Sequence, residues 1–198
     1  GILTHPDSGR AKLNIADMKP SLVFLDARDG SFIRKVELPH ELHKNSIRHL
    51  DTSPDGTVLF GMQYQGDTSD APPLVGMIGR DGKSTLFDAP ETLTPRLKGY
   101  CADVAIDPSG KFGASTFPRG DKIAIWSLPD GKLVSFNSVR DSAGVAAGPH
   151  PGGFRFSTGF GKLLSRIADP SSHVTEGHTQ RFAGLAFDNH MTVLDRSL

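Results

Sequence analysis

Residues 100–136, YCADVAIDPSGKFGASTFPRGDKIAIWSLPDGKLVSF, decide the fold. Three short apolar runs, VAI, FGASTF and KIAIWSL, are followed by a fourth, KLVSF. Asp107-Pro108-Ser109-Gly110 and Pro129-Asp130-Gly131 punctuate them. Gly supplies the positive φ of a tight turn, and Pro or Asp fixes or hydrogen-bonds the neighbouring position. The runs are too short for stable helices and rich in β-branched and aromatic residues, so the stretch predicts a four-stranded meander.

The same grammar recurs along the chain. Ser53-Pro54-Asp55-Gly56 precedes TVLFGMQY, and Pro149-His150-Pro151-Gly152-Gly153 precedes FRFSTGF. A second turn class closes the units: Ala27-Arg28-Asp29-Gly30 after SLVFLD, Arg80-Asp81-Gly82 after LVGMIG, and a degenerate Ala168-Asp169-Pro170-Ser171 after KLLSRI. A period of roughly 40 to 54 residues is that of a propeller blade. The expected architecture is therefore an all-β propeller with about four blades present. Residues 1–38 supply half a blade, full blades lie at about 46–91, 100–141 and 142–175, and closing strands (AGLAF, HMTVL) at 182–194. A closed ring needs about four to eight blades to avoid open edges. The expectation is the C-terminal part of a larger propeller, with a complete four-bladed ring as the alternative.

Within the blades, Ile123-Ala124-Ile125-Trp126 has no polar residue, as expected for a strand covered on both faces. Trp126 is accordingly expected in the core, and the small side chains of Gly113, Ala114 and Ser115 should let sheets approach closely. Two polar stretches break the pattern: Thr4 to Pro20 and Pro39 to Leu50. Long loops on a rigid scaffold are where function concentrates.

With 22 basic and 22 acidic residues the chain lacks the basic excess of a nucleic-acid binder. A single cysteine, Cys101, allows no intrachain disulfide. No apolar run approaches the ~18 residues of a membrane span, and the first residues lack a signal-peptide pattern. A start without Met reads as a processed or truncated product.

The chemistry offered by the two loops is mostly imidazole and guanidinium. His40-Glu41-Leu42-His43 spaces its histidines at i, i+3, whereas the zinc-protease signature needs i, i+4, so that motif fails. A non-enzymatic metal site from His5, His43, His49 and His190 is conceivable, since imidazole suits Zn, Cu and Fe, but the same histidines could make loop hydrogen bonds. Arg10, Lys12, Arg48 and Arg119 could ring an anion or form surface ion pairs. No G-x-S-x-G elbow is present, and Phe156 to Lys162, FSTGFGK, reads as a turn between strands. Asp103 and Asp188 are acids that strand-end hydrogen bonds explain as well as catalysis does. No catalytic residue, metal or cofactor is assigned.

THPDSGRAKLN with MKPSL, then ELHKNSIRHL, GMQYQGD, APPLVG, FPRG and DNHM, resemble the motifs of a domain-of-unknown-function family of exported bacterial propellers, DUF1513. The resemblance runs from Thr4 to Met191 and implies a fold like the seven-bladed YVTN and quinoprotein-dehydrogenase-like propellers. It also implies twin-arginine export, a periplasmic setting and a link with iron uptake through neighbouring imelysin-like proteins. The matching polar positions are His5, Arg10, Asn14, His43, Arg48, His49, Gln63, Arg119 and His190, with Lys44 standing where the family pattern has Gln. These are the candidate ligand-binding residues. The expected function is non-enzymatic binding of a protein partner or a small or anionic ligand. The alternative is a metal- or quinone-dependent redox protein or a lactonase-like hydrolase.

Overall fold

The computed structural model describes residues 2–9, 11–171 and 173–194; the candidate Arg10 lies outside them. Among the described residues, the chain forms one two-stranded and three four-stranded antiparallel sheets, each with strands in sequence order. The first is β1 (Ser21–Leu25) with β2 (Phe32–Glu37). Next come β3 (Asn45–Thr52), β4 (Val58–Tyr64), β5 (Val75–Ile78) and β6 (Ser84–Leu86). The third sheet holds β7 (Asp103–Ile106), β8 (Phe112–Phe117), β9 (Lys122–Ser127) and β10 (Leu133–Ser138). The fourth holds β11 (Ser142–Ala147), β12 (Gly153–Thr158), β13 (Lys162–Ala168) and β14 (Val174–Arg181). These are propeller blades built from meanders. The opening stretch folds as expected, with Asp107-Pro108-Ser109-Gly110 turning between β7 and β8 and Gly110 at φ 69°.

The side-chain period of a strand distributes each blade's apolar residues to two neighbours. From β4, Val58, Phe60 and Met62 pack with Leu22, Phe24 and Val36 of the β1–β2 sheet. Leu59, between them, joins Val104, Phe117, Ala124 and Trp126 of the next blade. Ala105, Ala114, Ile123 and Ile125 turn the other way and meet Val145, Phe154 and Phe156. Each blade interface is thus a separate apolar layer. Trp126 is buried at 2% exposure, and its indole N–H donates to Ser115 Oγ at 2.9 Å. A Cβ at Gly113 would lie 2.9 Å from Leu59 and Leu128, so the expected close approach of sheets does depend on a missing side chain.

The first strands β3, β7 and β11 lie side by side and are joined by side chains rather than by a sheet ladder. Asp51 of β3 accepts the N–H of Ile106 in β7 at 2.7 Å. Asp103 of β7 accepts the N–H of Val145 in β11 at 2.9 Å. They are the innermost strands of a propeller, facing its axis.

Two expectations are corrected. Pro39 to Leu50 is not one long loop: a 3-10 turn at His40–Leu42 gives way to β3 from Asn45, and His49 lies on that strand. The inner strand carries polar side chains because one face looks into the channel, and a bulge between Ile47 and His49 breaks its alternation. The closing strands expected over 182–194 do not form. The last blade is completed earlier, by β14, whose mostly exposed, polar residues gave no apolar run. After it, Gly184 turns at φ 76° and Phe182 folds edge-to-face on Phe187, their ring centroids 5.8 Å apart, so AGLAF bends instead of extending.

Candidate functional site

Four residues before the blade turn, the three inner strands place equivalent positions on the channel. The N–H groups of Ser53, Asp107 and Gly148 close those turns onto Thr57, Phe112 and Gly153. Counting back from them gives His49, Asp103 and Gly144. The segment after β14 crosses these strands and takes the space that Gly144 leaves. A Cβ there would sit 2.9 Å from the His190 carbonyl carbon and 3.0 Å from the Met191 nitrogen. His190 therefore arrives beside His49 and Asp103 by a route that sequence spacing does not reveal.

The geometry of the three is close. His190 Nδ1 lies 3.3 Å from Asp103 Oδ1, and the His49 and His190 rings are tilted at 43° with centroids 4.8 Å apart. One ligand atom from each residue falls within 4.8 Å of the others. Asp103 is buried, its Oδ1 also accepting Val104 N–H at 3.1 Å while Oδ2 holds Val145. His49 Nε2 is buried and has no hydrogen-bond partner, an arrangement that costs about 1–3 kcal/mol.

Electrostatics follow from burial. Desolvation, with the charges of His190 and Arg48 in support, lowers His49 from the ordinary 6.5 to about 4, so its ring is neutral at pH 7. Burial raises the Asp103 carboxyl, and the Val145 and His190 hydrogen bonds oppose that effect. Next to this group is a cavity of about 480 Å³ whose wall includes Leu50, Asp51, Asp103, Val145, His190 and Thr192.

Tyr100 extends the cluster. It bridges Gln63 of β4, the Arg119 guanidinium lies 4.2 Å from its ring centroid, and Asn189 Nδ2 donates to its hydroxyl at 3.5 Å. Of the predicted residues, His49, His190, Gln63 and Arg119 are thus gathered around Tyr100 and Asp103, with exposed Arg48 beside His49 on β3. The others make local contacts. His5 Nδ1 accepts the Asp7 N–H at 3.2 Å, capping the 3-10 turn Pro6–Ser8. Asn14 Oδ1 accepts the Leu3 N–H at 2.6 Å. His43 Nδ1 contacts the His40 carbonyl at 3.1 Å, and its ring stacks on His40. The two long polar stretches do meet, Met18, Lys19 and Pro20 facing His40 and His43 across a cavity of about 210 Å³. A His5–His43–His49–His190 metal set does not match these contacts: the structure pairs His49 and His190 with Asp103 instead. Asp103, Tyr100 and Asn189 were not among the predicted site residues. Aligning the repeats on their turns would have flagged Asp103 as the counterpart of His49.

The sequence matches the family model described as "Protein of unknown function (DUF1513)" over residues 1–194. The chain belongs to the DUF1513 family. No curated protein is significantly similar to it in sequence. Among solved structures, this DUF1513 chain is similar to a functionally unknown protein from Desulfotomaculum acetoxidans, with 12% identity, a TM-score of 0.58, and coverage of 83% of this chain and 50% of that one. The β-propeller domain of Cps50 (Swd1) from Myceliophteria thermophila gives 7% identity, a TM-score of 0.59, and coverage of 82% and 52%. The WD40 repeats of RRP9 give 16% identity, a TM-score of 0.54, and coverage of 77% and 44%. At such identities the likeness is one of fold, and it is a propeller fold. The DUF1513 chain spans about half the length of these structures.

Proposed function

We propose that this protein is a binding propeller, not an enzyme, and that it takes a small ligand in the axial cavity beside His49, Asp103 and His190. The observation that carries this reading is the convergence of side chains from β3, β7 and the segment after β14 on one cavity, with a buried imidazole nitrogen left unpartnered. A cavity walled by a few polar groups among apolar side chains such as Leu50, Val104 and Val145 suits a small molecule. The carboxylates at the channel also argue for binding over lactonase-like hydrolysis. Asp51 and Asp103 each commit one oxygen to the next blade's backbone, which leaves the channel few carboxylate oxygens for hydrolysis. Cys101 is fully buried and its thiol is pushed up well above the ordinary range by burial and by Asp103, which makes it a poor nucleophile. The sequence resemblance supports an exported, periplasmic setting linked with iron uptake.

The test is an amide-shift titration of ¹⁵N-labelled protein with three probes of different chemistry: citrate, catechol and imidazole. The expected result is that at least one of them shifts Asp103, Val104, Val145, His190 and Thr192, and that His190→Ala abolishes the effect. If every probe leaves these amides unmoved, or moves only residues away from the cavity, the reading is wrong.

A further inference from the structure

We infer that His49, Asp103 and His190 form a binding site for one divalent transition-metal ion, the ion serving as the inner part of the axial ligand site. This deepens the reading of the axial cavity and rests on it. Among the described residues, these three form the group of His, Cys, Asp or Glu side chains close enough to share an ion. Two imidazoles and one carboxylate are the donor set of zinc, cobalt and ferrous sites, whereas calcium and magnesium demand shells of oxygen.

Each residue is prepared for the role in a different way. His49 holds a ring nitrogen within 4.8 Å of the Asp103 and His190 ligand atoms, and its buried Nε2 has no hydrogen-bond partner. Asp103 is oriented by the Val145 N–H on Oδ2 and the Val104 N–H on Oδ1, the kind of outer-shell hydrogen bonding that fixes a ligating carboxylate. His190 is the adjustable member, with a side chain 61% exposed on a segment outside any strand.

Metal–ligand bonds of about 2.0–2.2 Å place neighbouring ligand atoms ~3.3 Å apart in a tetrahedral site. The three ligand atoms lie within 4.8 Å of one another, so the set has to close by up to about 1.5 Å around an ion. His190 Nδ1 already lies 3.3 Å from Asp103 Oδ1, so closure brings the His49 ring and this pair together. Three protein ligands leave coordination positions open, two of the three residues (Asp103 and His190) line the cavity, and a divalent cation there would offset the negative charge of Asp51 and Asp103.

The experiment is titration of the chelator-treated protein with Co²⁺, followed by visible absorption and reversed by competing Zn²⁺. The expected result is one ion per chain, with affinity at least about tenfold weaker in both His49→Gln and His190→Ala, and unchanged in His5→Ala and His43→Ala. Circular dichroism confirms folding of each variant. His190→Ala alters an exposed side chain and carries the test alone if His49→Gln fails to fold. No stoichiometric binding at about millimolar Co²⁺, undiminished binding in His190→Ala, or loss in His5→Ala or His43→Ala would each overturn the site. If Co²⁺ does not bind but an organic probe still shifts the cavity amides, the metal inference alone falls. If neither binds, the axial reading falls with it.

Discussion

Replacing Asp107 with Ala should unlock one blade from the next. The buried Asp107 carboxylate is a hub: Oδ2 accepts Ser109 N–H at 2.9 Å, Ser109 O–H at 2.6 Å and Gly152 N–H at 2.7 Å. Oδ1 accepts Lys111 N–H at 3.0 Å and Phe112 N–H at 2.8 Å. Four of these bonds close the turn between β7 and β8, and the Gly152 bond ties that turn to the corresponding turn of the following blade. In the Ala variant, the exposed Lys111 and Ser109 groups turn to water at little cost. The Phe112 and Gly152 N–H groups are buried and lose their acceptor, at about 1–3 kcal/mol each. The expected loss is therefore about 2–6 kcal/mol, a large part of the ~5–15 kcal/mol that holds a domain folded. Asp107→Asn keeps one acceptor oxygen but points an NH₂ at N–H donors, so it should recover only part of the loss.

Urea unfolding followed by far-UV circular dichroism measures the difference, and the pH dependence adds a signature. Burial raises the Asp107 carboxyl, but its donors outweigh that effect and hold it below the usual carboxylate range. A carboxyl lowered on folding contributes stability that is fully present above its unfolded value of ~3.9 and is lost as pH falls through the lower folded value. The gap between wild type and Asp107→Ala should accordingly narrow below about pH 4. A loss under ~1 kcal/mol at pH 7, or a gap that widens in acid, would refute the assignment of Asp107 as the inter-blade hub.

Three further outcomes are expected. Gly144→Ala should push the His190–Met191 backbone off β11 and weaken Co²⁺ binding by about tenfold or more while leaving the thermal midpoint nearly unchanged, as calorimetry and the Co²⁺ titration would show. Trp126→Phe should cost about 1–2 kcal/mol in urea unfolding, because it removes the donor to Ser115 Oγ within a fully buried layer. Cys101, buried and with its thiol raised by desolvation, should react with a thiol-specific reagent only as fast as the blades open, so adding urea below the transition should speed labelling.

The blade scaffold was legible because turns and covered strands write local signals. Asp107-Pro108-Ser109-Gly110 states its own geometry, and Ile123-Ala124-Ile125-Trp126 can only be a strand enclosed on both faces. What escaped were elements with exposed faces. β14, Val-Thr-Glu-Gly-His-Thr-Gln-Arg, pairs along its length with β13 yet exposes nearly every side chain, so ladder hydrogen bonds hold it without an apolar run to announce it. The polar run of β3 reads partly as loop because Arg48 occupies a bulge and His49 looks into the channel. The site escaped for a different reason. His190 follows Asp103 by 87 positions and is placed by the absence of a side chain at Gly144, a steric condition no local pattern encodes.

The channel carboxylates tie stacking to chemistry. Asp51 reaches forward from β3 to Ile106 and Asp103 from β7 to Val145, so each inner strand is held to the next through an acid that also borders the axial cavity. At Asp103 the two roles divide between its oxygens: Oδ2 holds the next blade and Oδ1 faces His190. Asp103→Asn separates them. An amide oxygen turned toward Val145 preserves the inter-blade bond, while the NH₂ at the other position faces His190, leaves the Val104 N–H without an acceptor, and neither carries charge nor ligates a metal. The variant should stay folded, losing about 1–3 kcal/mol in urea unfolding, yet should bind Co²⁺ at least about a hundredfold more weakly. A variant that unfolds while the small amount of native protein still binds the ion normally would reverse the division, making Asp103 a latch between blades and nothing more.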